Sequence, residues 1–86
     1  MSLIRTFISG QHFFQSSILK HGKFIDNGEG DAFTTEAEAH ADGENMADAY
    51  DPEWQKRYPN CIEYIVSEFV CKEVDADGSC GIAISV

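Results

Sequence analysis

Residues 24–55 contain no lysine and no arginine. The same 32 residues hold ten carboxylates, Asp26, Glu29, Asp31, Glu36, Glu38, Asp42, Glu44, Asp48, Asp51 and Glu53. The other 54 residues carry five acids and six bases, a balance of +1, so the formal charge of −9 belongs to one segment. A segment of that charge repels phosphates, which argues against direct binding to DNA or RNA.

Other absences narrow the function further. No apolar run approaches the roughly 18 residues that a membrane span requires. Near the start, Arg5 and Thr6 interrupt Leu3, Ile4, Phe7 and Ile8 before a signal-peptide core can form. The expected location is therefore the cytoplasm, with no membrane partner. Cys61, Cys71 and Cys80 are odd in number and lack a C-x-x-C spacing, a poor framework for disulfides or zinc. They are expected as small buried apolar residues in a reducing compartment. His12, His21 and His40 stand at unrelated spacings and are assigned structural or solvent roles. No cysteine lies at a predicted helix N-terminus, where its thiolate would be favoured, and no glycine-bounded nucleophile turn is present. Neither a glycine-rich phosphate loop nor a basic patch interleaved with aromatics is found. The chain is read as a non-enzyme, with no catalytic residue, no cofactor and no metal site.

Two stretches invite a cation reading. Glu73-x-Asp75-x-Asp77-Gly78 reproduces the first, third, fifth and sixth positions of a calcium loop, but Ile84 then falls where a bidentate glutamate is needed. A turn is the better reading. In Asp26-Asn27-Gly28-Glu29-Gly30-Asp31, three carboxylates on a glycine loop could gather around a hard ion, against the simpler reading of a solvated acidic loop.

What is present is enough apolar material for one core: 43% hydrophobic residues, six Phe, three Tyr and one Trp. The length fits a single domain over residues 1–86. Residues 2–9 are rich in Ile and Phe with a weak alternation and read as a strand. Residues 13–19 read as a second strand, and Lys20-His21-Gly22-Lys23 supplies the reversal. Phe24 and Ile25 begin the return, which the glycines at 28 and 30 are expected to end in a polar loop.

Thr35-Glu36-Ala37-Glu38 then has the spacing of a capping box and opens the one clear helix, over about residues 35–50. Placing residues about 100° apart gathers Ala39, Gly43, Met46, Ala47 and Tyr50 on one narrow stripe of small side chains. Such a stripe predicts close packing on a sheet, and it accounts for a mid-helix glycine that costs about 1 kcal/mol relative to alanine. On the solvent side, Glu38 with Asp42 and Glu44 with Asp48 form like-charged i,i+4 pairs, each unfavourable by a few tenths of a kcal/mol. Asp51-Pro52 starts a short second helix, Lys56 and Arg57 suit its last turn, and Trp54 and Tyr58 are expected to close over the core.

Residues 61–74 fit a helical stripe through Ile62, Ile65, Val66, Phe69 and Val70. Their composition, and the turn Asp75-Ala76-Asp77-Gly78 leading to residues 80–86, favour a β-hairpin. The expected class is α+β: an antiparallel sheet of four to five strands with one main helix packed on one face.

With a helix announced by Phe33-Thr34-Thr35-Glu36-Ala37-Glu38-Ala39 among antiparallel strands, and no catalytic residue, the chain resembles small acidic proteins of phages and mobile elements such as anti-CRISPRs. The resemblance covers size, charge and layout. It implies an inhibitor that blocks the basic surface of a nucleic-acid-binding complex. Helix carboxylates about 6 Å apart repeat on the scale of phosphates, one per roughly 3.4 Å along a strand. The leading expectation is a non-enzymatic acidic binding protein, an inhibitor or nucleic-acid mimic, that occupies the basic, nucleic-acid-binding surface of a protein or nucleoprotein complex through Asp31, Glu36, Glu38, Asp42, Glu44, Asp48, Asp51 and Glu53. The alternative is an assembly module that forms a homodimer through an edge strand at residues 80–86, which are short, apolar and at the C-terminal end.

Overall fold

A computed structural model describes residues 3–86. The first reversal is set by His21 (φ 54°) and Gly22 (φ 77°). Two consecutive residues in the left-handed region are what a two-residue hairpin turn of the right twist requires. This turn joins β1 (His12–Lys20) to β2 (Lys23–Phe33). After them come α1 (Glu36–Ala49), α2 (Pro52–Arg57), β3 (Ile62–Val74) and β4 (Cys80–Ser85). The strands form one antiparallel sheet in the order β2-β1-β3-β4. The fold is α+β, and residues 61–74 take the strand rather than the helical alternative.

Three expectations about the strands and their cysteines are corrected. First, the glycines after Ile25 do not end the returning strand. Ser17 pairs with Glu29 and Leu19 with Phe24, so two residues on β1 span five on β2 and the chain at 25–28 bulges out. Asn27 (φ 57°) provides the bend, and the strand resumes because Ala32 and Phe33 are buried. The acidic loop expected over residues 26–31 is thus replaced by a bulged strand.

Second, the strand expected at residues 2–9 begins outside the described residues, and residues 3–9 make only an isolated bridge between Leu3 and Phe33. They run as a strap instead. Ile4 N–H donates to Ala32 O (2.9 Å), Phe7 N–H to Gly78 O (2.8 Å) and Gly10 N–H to Cys71 O (2.8 Å). Beneath the strap, Phe13, Ala32 and Cys71 are buried with Ile4, Phe7, Phe69, Val74 and Cys80 packed around them. Phe13 stacks on Phe69 (centroids 5.4 Å) and meets Phe7 edge-on (5.2 Å), each such pair adding about 0.5–1.5 kcal/mol beyond burial.

Third, Cys71 and Cys80 are joined in a disulfide, with Cα atoms 5.8 Å apart. Cys61 remains free. The odd count concealed the pair, and so did the register, which sets Cys71 opposite Ala83 and Cys80 opposite Val74 with the ladder shifted in between. The cysteines therefore give no argument for a reducing compartment.

The helix follows its local chemistry. Thr35 caps it, accepting from Glu38 N–H (3.4 Å), and the Thr35 hydroxyl donates to the Glu38 carboxylate (3.0 Å). The predicted stripe faces inward, with Ala39 and Gly43 buried and Met46, Ala47 and Tyr50 half-buried. α1 lies against β1, β2 and β3. A Cβ at Gly43 would stand 2.5 Å from Tyr64 Cδ2 and 2.8 Å from Ser16 Cβ. Ser16 and Gly30 meet the helix in the same way: a Cβ at Gly30 would come within 2.8 Å of Ser16 Oγ and 2.9 Å of Met46 Cε. α2 starts as expected, with Asp51 accepting from Trp54 N–H (3.2 Å) and Pro52 at its first position. Trp54 and Tyr58 do not cover the core. They stack on each other (5.0 Å) beside His21 at the β1–β2 turn, and Tyr58 is exposed.

Two outcomes follow. Gly43→Ala gains about 1 kcal/mol of helix propensity, yet crowding against Ser16 and Tyr64 costs about 1–3 kcal/mol. Urea unfolding is expected to show net destabilisation, the reverse of the propensity ranking. Reduction of Cys71–Cys80 opens a short loop and removes about 2–3 kcal/mol, read as a lower urea midpoint with reductant than without it.

Candidate acidic interface

The acidic segment folds into β2, α1 and the start of α2, so its carboxylates lie along the edge strand β2 and on a helix laid across β1, β2 and β3. Successive helix residues turn by about 100°, which sends the two like-charged pairs to different flanks. Asp42 faces β2, where its Oδ2 accepts the Asp31 N–H (3.1 Å). Glu38, one turn earlier, lies on the same flank. Glu44 and Asp48 lie on the β3 flank, rimming an open cleft with Ala47, Ile62, Glu63 and Tyr64. Ala37, Ala41 and Asn45 form the outermost ridge between the flanks, all exposed.

Several of the eight predicted residues have structural duties. Glu38 takes part in the helix cap, and Asp42 joins helix to strand. Asp51 caps α2 with one of its two oxygens. Glu36 stands 3.5 Å from His40 Nε2, and His40 Nδ1 lies 3.3 Å from the Tyr64 hydroxyl, so this corner of the helix is tied to β3. The side chains of Asp31, Glu44, Asp48 and Glu53 are exposed.

Among the described residues, no lysine or arginine lies within 4.0 Å of a carboxylate; the two ion pairs, His12–Glu68 and His40–Glu36, are made by histidines. The Lys20 ammonium sits over the rings of Trp54 (4.3 Å) and Tyr50 (5.8 Å) at the α1–α2 junction. Sequence reading missed this cation–π clamp, which needs the β1–β2 turn brought against α2. Away from the segment, the Ser79 hydroxyl donates to Asp77 Oδ1 (2.7 Å) and Ser79 N–H donates to it as well (3.0 Å). Together they hold the Asp77 carboxyl below its ordinary value of 3.8. Among the described residues no three of His, Cys, Asp and Glu converge as metal ligands, and no helix is long and apolar enough to cross a membrane.

No family model, curated protein or solved structure matches the chain. What the acidic segment does has to be read from its own residues.

The two flanks respond differently to truncation. Asp42→Ala removes the bond between helix and strand at the Asp31 amide and costs about 0.5–1.5 kcal/mol. Glu44→Ala or Asp48→Ala relieves a like-charge pair and is neutral or stabilising by a few tenths of a kcal/mol. Urea midpoints of the three variants check the difference in sign.

Proposed function

We propose that the chain is a non-enzymatic acidic binding protein whose segment 24–55 occupies a basic, nucleic-acid-binding surface of a partner protein or nucleoprotein complex. The observation that carries this reading is the acidic run itself. Ten carboxylates are collected on neighbouring elements, and among the described residues no lysine or arginine forms an ion pair with Asp31, Glu44, Asp48 or Glu53. A helix selected for stability alone would alternate its charges.

Dimensions support the same reading. The 14 residues of α1 rise about 21 Å, the length over which one DNA strand sets about six phosphates. With α1 packed on one face of the sheet, its outer side is left for the partner. Asp31, Glu44, Asp48 and Glu53 make the contact, while Glu38, Asp42 and Asp51 hold its geometry and Glu36 borders it beside His40. Association of this kind is fast and electrostatically steered, and it weakens with salt. Its outcome is stoichiometric blocking, the mode implied by the resemblance to anti-CRISPR proteins.

The test is competition. A fluorescent DNA duplex is bound to an arginine-rich peptide, and displacement by the chain is followed by anisotropy. Displacement is expected at low salt and is expected to weaken by at least about tenfold between about 50 and about 300 mM salt. Glu44→Lys with Asp48→Lys is expected to weaken it by about tenfold, whereas the equal charge change Glu68→Lys with Glu73→Lys has a smaller effect. Failure of the unaltered chain to displace the duplex, or equal losses in the two variants, counts against the proposal.

A further inference from the structure

We propose that the chain forms a two-fold dimer through β4, paired antiparallel with β4 of a second copy so that Ile84 meets Ile84 of that copy. Its grounds lie at the opposite edge of the sheet from the acidic segment, and it does not rest on the function proposed above.

β4 is an edge strand, and the phase of its ladder can be followed. Val86 N–H donates to Glu68 O (3.0 Å), so Val86 turns its main chain toward β3. Alternation then gives Ile84 the same direction. Cys71, opposite Ala83, accepts from Gly10 N–H and donates to Gln11 O (2.8 Å each), both away from β4. Ala83 and Ser85 therefore direct their N–H and C=O groups outward, unpaired among the described residues.

Side chains alternate as well, so Ile82, Ile84 and Val86 share one face, and they are 49%, 47% and 69% exposed. In the register centred on Ile84, Ile82 stands opposite Val86 of the second copy and Val86 opposite its Ile82. Ala83 and Ser85 exchange main-chain hydrogen bonds with Ser85 and Ala83 of that copy. The three apolar cross-strand pairs then occupy the close, non-hydrogen-bonded positions, where side-chain contact is strongest. A single register satisfies both the outward main-chain groups and the exposed apolar face, and it does so with the strand's own sequence as partner. That self-match identifies the occupant as a second copy.

The two edges of the sheet are guarded differently. Edge strands in stable monomers are blunted by charge, proline or bulges. β2 has such protection, with Asp26, Glu29 and Asp31 around its bulge. Residues 80–86 contain no charged residue and no proline. One short strand pair buries less than the roughly 1,200–2,000 Å² of a stable interface, so the dimer is concentration-dependent.

Sedimentation of the intact chain from about 1 to about 500 µM is expected to show a monomer–dimer equilibrium that added salt does not dissociate. Ile84→Lys, which sets like charges face to face at the axis, is expected to weaken it at least about fiftyfold. Ala83→Pro removes an outward donor without touching the β3–β4 ladder and has the same effect. Phe24→Lys, on β2, leaves the dimer unchanged. The register is read separately: with Cys61→Ser in place, Ile84→Cys cross-links to its mate under mild oxidation and Ile82→Cys alone does not. A chain monomeric throughout, a dimer surviving both Ile84→Lys and Ala83→Pro, or an Ile84→Cys chain that forms no covalent dimer overturns the proposal. The cross-link decides should both variants lose their far-UV circular dichroism.

Discussion

The position of α1 is decided where three small residues meet. Gly43 on the helix, Ser16 on β1 and Gly30 on β2 leave no room for another methyl group between helix and sheet. Close approach brings Gly43 against Tyr64 and Met46 against Gly30, a gain that is collectively large because interiors are densely packed. Ser16 shows what the contact costs: its hydroxyl is buried without a partner among the described residues. Any larger side chain at these positions lifts the helix and, with it, every carboxylate that the helix carries.

From that contact the charge distribution follows. The helix is seated so that Asp42 reaches the Asp31 amide, which converts one member of a like-charged pair into a bond between elements. Glu38 is used at the cap, where the helix dipole favours a negative charge. Among the described residues Glu44 and Asp48 form no ion pair, and neither lies in the first turn of the helix. Lys20, well placed to offset charge at the α1–α2 junction, is instead committed to Trp54 and Tyr50. Repulsion among these carboxylates is a standing cost in the free chain, and a cationic surface is what would relieve it.

Features governed by a few adjacent residues were legible in the sequence. Thr35 and Glu38 announced the cap, His21-Gly22 the first turn, Asp51-Pro52 the second helix, and Asp75 to Gly78 the last hairpin. The stripe Ala39, Gly43, Met46, Ala47 and Tyr50 was legible because it follows one period. What failed depended on partners distant in the chain. Gly28 and Gly30 look like the end of a strand, and only the pairing of Ala32 with Gln15 shows that the strand continues past a bulge. Residues 3–9 have strand composition, but β1 is already flanked by β2 and β3, so they cross the sheet as a strap. The disulfide required the hairpin before Cys71 and Cys80 could be seen as neighbours. Among the acidic residues, the wheel identified two pairs but not which flank each would occupy, because that depends on which strands lie beside the helix.

The sheet is polarised along its hydrogen-bonding direction, and that polarity lets the two proposed interactions coexist. Acidic side chains and a bulge occupy the β2 end, while an uncharged strand with outward-facing isoleucines occupies the β4 end. Pairing through β4 turns the β2 ends away from each other, so two acidic surfaces face outward from one assembly. A partner with a single basic patch would gain nothing from this arrangement. A partner with repeated basic surfaces would, since the second contact is then intramolecular and its effective concentration is set by the rigid sheet between the two ends. The rigid spacing also restricts which partners benefit, because sites that the joined sheets cannot span together are bound one at a time.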